Sequence, residues 1–187
     1  MSSQQARPLR ADAQQNYERL LTVAAQAFAR EGAGASLKAI AQEAGVGIGT
    51  LYRRFPTRET LVEAVYRNEV ARLCAAAPTL LAQLPPVDAL RTWMELFVDF
   101  MAAKHGMADA LRAVLASEDE RMHTRGLLRD ALATLLDAGV THGAIRPGLD
   151  PYDVLMGLGG ITLIAEDPGR RDLALRLVDL LINGVRP

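Results

Sequence analysis

Residues 37–61 read LKAIAQEAGVGIGTLYRRFPTRETL, with three glycines in five positions at the centre, Gly45-Val46-Gly47-Ile48-Gly49. Such a run either cradles a phosphate in a nucleotide-binding enzyme or turns the chain between two short helices that grip DNA. Context separates the two. A dinucleotide loop follows a strand and has an acid about 20 residues further on, and a P-loop needs Gly-Lys-Ser/Thr. Here a helical pattern precedes the glycines, Gly-Lys-Ser/Thr is absent, and no segment of the chain alternates with period two. The helix-turn-helix alternative suits each residue. Ala41 is small, so a second helix can pack close to it. Gly45 lies four residues on, where the chain turns sharply and often needs positive φ. Val46 and Leu51 can seal the space between the helices. Such a motif lays its second helix in the major groove.

Outward from this stretch the pattern stays helical. Asp12 and Gln15 have capping-box spacing, and Tyr17, Leu20, Leu21, Ala24, Ala27 and Phe28 follow on one stripe. Ser36 is an N-cap for a short helix to Ala44, Ile48–Arg54 forms another, and Thr57 caps a longer one to about Ala76. Pro78, Pro85 and Pro86 then read as a break. Val87–His105 is apolar on nearly all sides, which places it centrally. Met107–Ala116 is a short helix, and Ser117 caps the next. Asp150-Pro151 and Asp167-Pro168 each open a further helix. The sum is an all-α fold of about nine helices. Gly157, Gly159 and Gly160 fall inside one of them, at a cost of about 1 kcal/mol each relative to alanine. Close helix–helix approach, a bound ligand, or a locally broken helix would each account for them, in that order of preference.

Half of the chain is hydrophobic, enough to bury a sizeable core, and its one cysteine excludes an internal disulfide framework. The first residues have no apolar segment of signal-peptide type, and no apolar run reaches membrane-spanning length. A soluble, cytoplasmic protein is expected. Its net charge is −1, unevenly spread: residues 1–58 hold eight Lys/Arg against four acids, and the rest hold 13 against 18. A basic head on an acidic body suits a chain of which one part touches phosphates, although this asymmetry is common on solvated surfaces.

The same stretch carries a family likeness. Residues about 9 to 66 resemble the DNA-binding head of the tetracycline-repressor (TetR) family, through Ile40-Ala41, Ala44-Gly45-Val46, Leu51-Tyr52, Phe55 and Leu61, with Phe28 and Gly32 upstream. The likeness implies a three-helix head within residues 1–58 and a helical ligand-binding and dimerisation region in 59–187. It implies that Ser36 and Lys38 approach the DNA backbone. Gly47, Ile48, Gly49, Thr50, Tyr52 and Arg53 would form the groove-facing surface, and Thr57 and Arg58 would hold a phosphate at a helix N-terminus. Arg58 departs from the family, where lysine is usual, and brings a bidentate option. Arg7 and Arg10 flank Pro8 as an extended minor-groove arm or a loose tail.

Further along, the likeness and the large side chains of the central helix together suggest a pocket around Trp93, Phe97, Phe100, Met101, Met107, Leu111, Met122 and Met156, with Trp93 and His105 supplying polar contacts. The same stripe would also suit a plain packed core. A two-fold dimer is expected on the last two helices, Asp150–Ile164 and Pro168–Asn183. Leu173, Leu177, Leu180 and Leu181 form one apolar face, which Leu175 and Val178 extend. His105, His123 and His142 lack metal spacing and read as surface or capping residues. Glu118-Asp119-Glu120 reads as acids opening a helix. Cys74 reads as an inert core residue or an oxidant sensor. No cofactor, metal or enzymatic activity is expected. The function expected is a DNA-binding transcriptional regulator, a repressor on a palindromic operator, released by an apolar or amphipathic small molecule. A regulator controlled by a protein partner without such a ligand is the alternative, and an all-α enzyme or carrier is a third.

Overall fold

The computed structural model describes residues 6–114, 118–164 and 170–187. Among them lie nine α-helices and no strand: α1 Ala6–Glu31, α2 Leu37–Glu43, α3 Ile48–Arg54, α4 Arg58–Leu81, α5 Pro86–Gly106, α6 Ala108–Val114, α7 Glu118–Thr141, α8 Pro151–Ile164 and α9 Arg171–Val185. One apolar cluster runs through the described helices from Leu20 to Val185. The central position expected for α5 holds. Leu90, Trp93 and Met94 are fully buried, and α5 packs against α1, α4, α7 and α9. No helix is long and apolar enough to cross a membrane.

The caps follow the local sequence. Ser36 Oγ accepts from the Ala39 amide at 3.3 Å, and Thr57 and Thr60 form a reciprocal capping box. Asp150 Oδ1 accepts from the Tyr152 amide at 2.8 Å ahead of Pro151. Two boundaries differ from expectation. Helix α1 begins at Ala6, so Asp12 lies inside it and the backbone of Arg7 and Arg10 is helical, not extended. Pro8 is compatible with this because the amides of a first turn have no intrahelical acceptor to lose. Helix α4 passes through Pro78 to Leu81. Beyond the proline, Leu80 and Leu81 pack on the core, and the fully buried Ala77 anchors the turn before them. Tertiary burial outweighs one lost backbone hydrogen bond. The expected caps Ser117 and Asp167-Pro168 lie outside the described residues.

At Gly106 the end of α5 meets the backbone of α1 with no side chain between them. A β-carbon on Gly106 would fall 1.9 Å from the Phe28 carbonyl oxygen, and one on Gly32, at φ +59°, would lie 3.7 Å from the Gly106 carbonyl. The first obstacle is backbone and cannot swing aside. Gly106→Ala should therefore force α5 off α1 and cost about 1–3 kcal/mol of stability, as overpacking does. Urea unfolding of the two proteins checks this.

Candidate nucleic-acid interface

The α2–α3 turn forms as the glycines require. Gly45 has φ +70°, Val46 N donates to Ala41 O at 2.9 Å, and Gly47 is the N-cap of α3 with φ −67°. Leu51 and Phe55 are buried, which fixes the roll of α3. The other residues of α3, and Gly47 before it, are open to solvent. Gly47, Gly49, Thr50 and Arg53 are exposed, and Ile48 and Tyr52 are 38% and 49% exposed despite their apolar bulk. Arg54 turns away from this surface, its guanidinium 4.1 Å from the Tyr17 ring centroid, and Tyr17 stacks on Phe55. Ser36 and Lys38 are exposed at the start of α2. The structure therefore gathers the expected groove-facing residues and both α2 residues on the α2–α3 unit.

The start of α4 is arranged differently from expectation. Arg58 donates through Nη1 to Ala35 O at 2.8 Å and through Nη2 to Gly32 O at 3.4 Å, and lies over the Phe28 ring. Its fork is spent on the corner between α1 and α2. The arginine that replaces the usual lysine thus uses its bidentate geometry within the chain. Thr57 accepts from the Thr60 amide. The carboxyl of Glu59 is held below the usual carboxylate range by its own backbone N–H, and next by the Thr57 hydroxyl. A phosphate arriving at this turn competes with Glu59.

Of the eight residues expected around a pocket, Trp93, Phe97 and Phe100 lie ring against ring, at centroid distances of 5.9 and 6.0 Å. Trp93, Phe97, Met107 and Leu111 are core residues, and the Trp93 indole N–H donates to Leu73 O at 2.8 Å. Met101 is half-buried, while Met122 and Met156 are 52% and 39% exposed on α7 and α8. A groove of about 950 Å³ lies elsewhere, walled by α1, α4 and α5 and reaching Thr162 of α8 and Arg171 of α9. Of the eight, Phe100 lines it, and His105 does so too. Its α1 wall includes Ala25, Gln26, Ala29 and Arg30, none of which was expected at a pocket.

Among the described residues no cluster of His, Cys, Asp and Glu could hold a metal. His142 Nδ1 lies 2.8 Å from Ala138 O at the end of α7, a capping contact. Glu118, Asp119 and Glu120 open α7. Burial, and then Asp130, push the Cys74 thiol up, which disfavours the thiolate.

Known proteins agree with this geometry. Residues 20–65 match the model of bacterial regulatory proteins of the tetR family, and residues 85–187 match that of the SbtR-like transcriptional regulator C-terminal domain. A TetR transcriptional regulator of Streptomyces coelicolor, SCO0520, is 52% identical, with 90% of this chain and 97% of that one covered and a TM-score of 0.83. The TetR regulatory protein of Mycobacterium vanbaalenii is 35% identical over 96% of this chain and all of its own, at a TM-score of 0.77. The HTH-type transcriptional regulatory protein RaaS of Mycobacterium tuberculosis is 27% identical over 177 residues, 86% of this chain and 77% of that protein. The chain belongs to the TetR family of DNA-binding transcriptional regulators, a family of regulators and not of enzymes.

The inward turn of Arg58 separates two roles by measurement. Arg58→Ala should cost about 2 kcal/mol of stability through its charged hydrogen bonds, while leaving the salt dependence of DNA binding unchanged. A salt slope lower by about one would instead place Arg58 on a phosphate.

Proposed function

We propose that the chain is a repressor that binds a palindromic operator as a homodimer and is released by a small molecule. Residues 1–58 form the DNA-binding head and 59–187 the effector-binding and dimerisation body. The observation that carries the DNA reading is α3, which buries Leu51, ends on the buried Phe55 and leaves Ile48, Thr50, Tyr52 and Arg53 exposed. In this reading Thr50 and Tyr52 meet base edges or thymine methyls. Gly47, Ile48 and Gly49 let the backbone come close, and Ser36, Lys38 and Arg53 meet phosphates. Thr57 serves as the cap that orients α4, and Arg58 braces the head.

The dimer reading rests on α8 and α9. Helix α9 turns Ala174, Val178, Ile182 and Val185 inward and leaves Leu180 66% exposed. Val178, expected on the outer surface, is 1% exposed and belongs to the chain's own core. Helix α8 is unbroken. It exposes Tyr152, Met156 and Leu163 beside Gly157 and Gly160, and apart from the helix's own backbone none of the described residues comes within 4 Å of a β-carbon placed on Gly159 or Gly160. Among the described residues the glycines thus make no close approach to another helix, the Leu181 Cδ1 lying 4.0 Å from a β-carbon on Gly157. An apolar face with gaps in it suits a second copy packed closely against it, and two-fold symmetry then spaces the recognition helices about 34–36 Å apart, or a multiple of that.

Selection from a random DNA pool should return an inverted repeat. On that site Lys38→Ala should weaken binding to all sequences alike and lower the salt slope by about one, whereas Thr50→Val should change the preferred bases. Two variants indistinguishable from wild type at matched salt would refute the interface. For the dimer, Leu180→Glu should yield a folded monomer in sedimentation and reduce operator affinity. A variant that remains dimeric would exclude the α8–α9 face.

A further inference from the structure

We infer that the groove between α1, α4 and α5 is the effector site, that its occupant is a mostly apolar molecule with an acidic end, and that this occupant touches the DNA-binding head directly. The effect on DNA rests on the regulator function proposed above; the binding does not. The groove's volume of about 950 Å³ lies at the upper end of small-molecule sites, about 300–1,000 Å³. Alanine recurs in its walls, with Ala25 and Ala29 on α1, Ala76 on α4, and Ala102 and Ala103 on α5. Small side chains on three helices leave an open groove, and Leu73, Leu96 and Phe100 supply its larger apolar surface.

The charges in the wall select the end group. Three arginines and two acids line the groove. Both acids are already held: Glu69 by Arg72 at 2.8 Å, and Asp99 by two nitrogens of Arg171 at 2.8 and 3.1 Å. The third arginine, Arg30 on α1, reaches Glu43 and Glu31 only at 3.6 and 3.8 Å, beyond hydrogen-bond length, and half of its side chain is exposed. An acidic end therefore meets a cation that holds Glu43 and Glu31 only by longer ion pairs, and it competes with those two carboxylates for it. A cationic end would have to break an existing pair. The Thr162 hydroxyl donates to Gly159 O.

Position supplies the coupling. Gly32 and Gly106, the glycines at which α1 and α5 approach each other, line the same groove. An occupant lying between Ala29 and Ala102 bears on that joint. Helix α1 packs against α2, which packs against α3, so a shift of α1 reaches the recognition helix through two packed contacts. Because the interior is close-packed, the head follows as a unit rather than absorbing the motion.

The test titrates sodium dodecanoate, and dodecyltrimethylammonium as its charge-reversed counterpart, into the full chain by calorimetry below micelle formation. One dodecanoate per chain is expected, bound at least about tenfold more tightly than the cation. Gln26→Trp in the head and Ala102→Trp in the body sit at exposed positions on opposite walls, so both variants should fold. Each should weaken dodecanoate binding about tenfold or more by filling the groove, and Arg30→Gln should erase the preference for the anion. Wild-type affinity in either tryptophan variant, or a cation bound as tightly as the anion, would overturn the proposal. Dodecanoate should also release the wild-type protein from its selected DNA site and fail to release the tryptophan variants. A wild-type protein that binds dodecanoate through both walls but retards no DNA would uphold the groove and defeat the regulator function instead.

Discussion

The carbonyl oxygen of Phe28 occupies the place where a β-carbon on Gly106 would have to be. Much of the molecule is organised around that contact. It brings the end of α5, the central helix, onto the end of α1, backbone against backbone. Gly32, in a left-handed conformation, then lets the chain leave α1 at once, and its carbonyl and that of Ala35 accept from the Arg58 guanidinium at the head of α4. Three helices and the entry to α2 thus converge on Phe28, whose ring lies under the arginine. The convergence is also economical of polar groups, because the carbonyls exposed where α1 ends are satisfied by a charged donor.

This corner explains why so short a helix as α3 can be presented reliably. Seven residues do not form a stable helix on their own. Helix α3 is held by Leu51 and Phe55 beneath it, by the Gly45 turn before it, and by α2, itself capped at Ser36 and anchored at Ile40 and Ala41. Rigid support below and small or adaptable residues above are what a surface entering a DNA groove requires. Exposing Ile48 and Tyr52 to solvent has no counterpart in the packing of this chain, and the proposed use of α3 supplies a reason for it. The exposed apolar row on α8 and α9 stands in the same position, with a second copy as the proposed cover.

Much of this was legible along the chain because it depends on near neighbours. Asp150-Pro151, Ser36 and Thr57 act within four residues, so their caps appear where the sequence places them. The Gly45 turn and the burial of Leu51 and Phe55 follow from spacing within one motif, and the family likeness rests on the same residues. Helix α5 is central because a helix apolar on all sides has no solvent face to offer. What the tertiary structure alone decided involves partners distant in sequence. Arg58 was expected to hold a phosphate, and only the tertiary structure shows its fork donating to the carbonyls of Gly32 and Ala35, 26 and 23 residues earlier. Pro78 looked like a break until burial on either side of it kept α4 going. Val178 and Leu180 are equivalent in composition, and the roll of α9 on the core sends one in and the other out. The large residues of α5 were expected to line a pocket; Phe100 does line the groove, together with Leu96, Ala102 and Ala103, while Trp93 and Phe97 pack in the core. Bulky side chains fill volume, and a groove opens where facing helices carry small ones. Which small residues face one another is fixed by how the helices pack and by no local pattern.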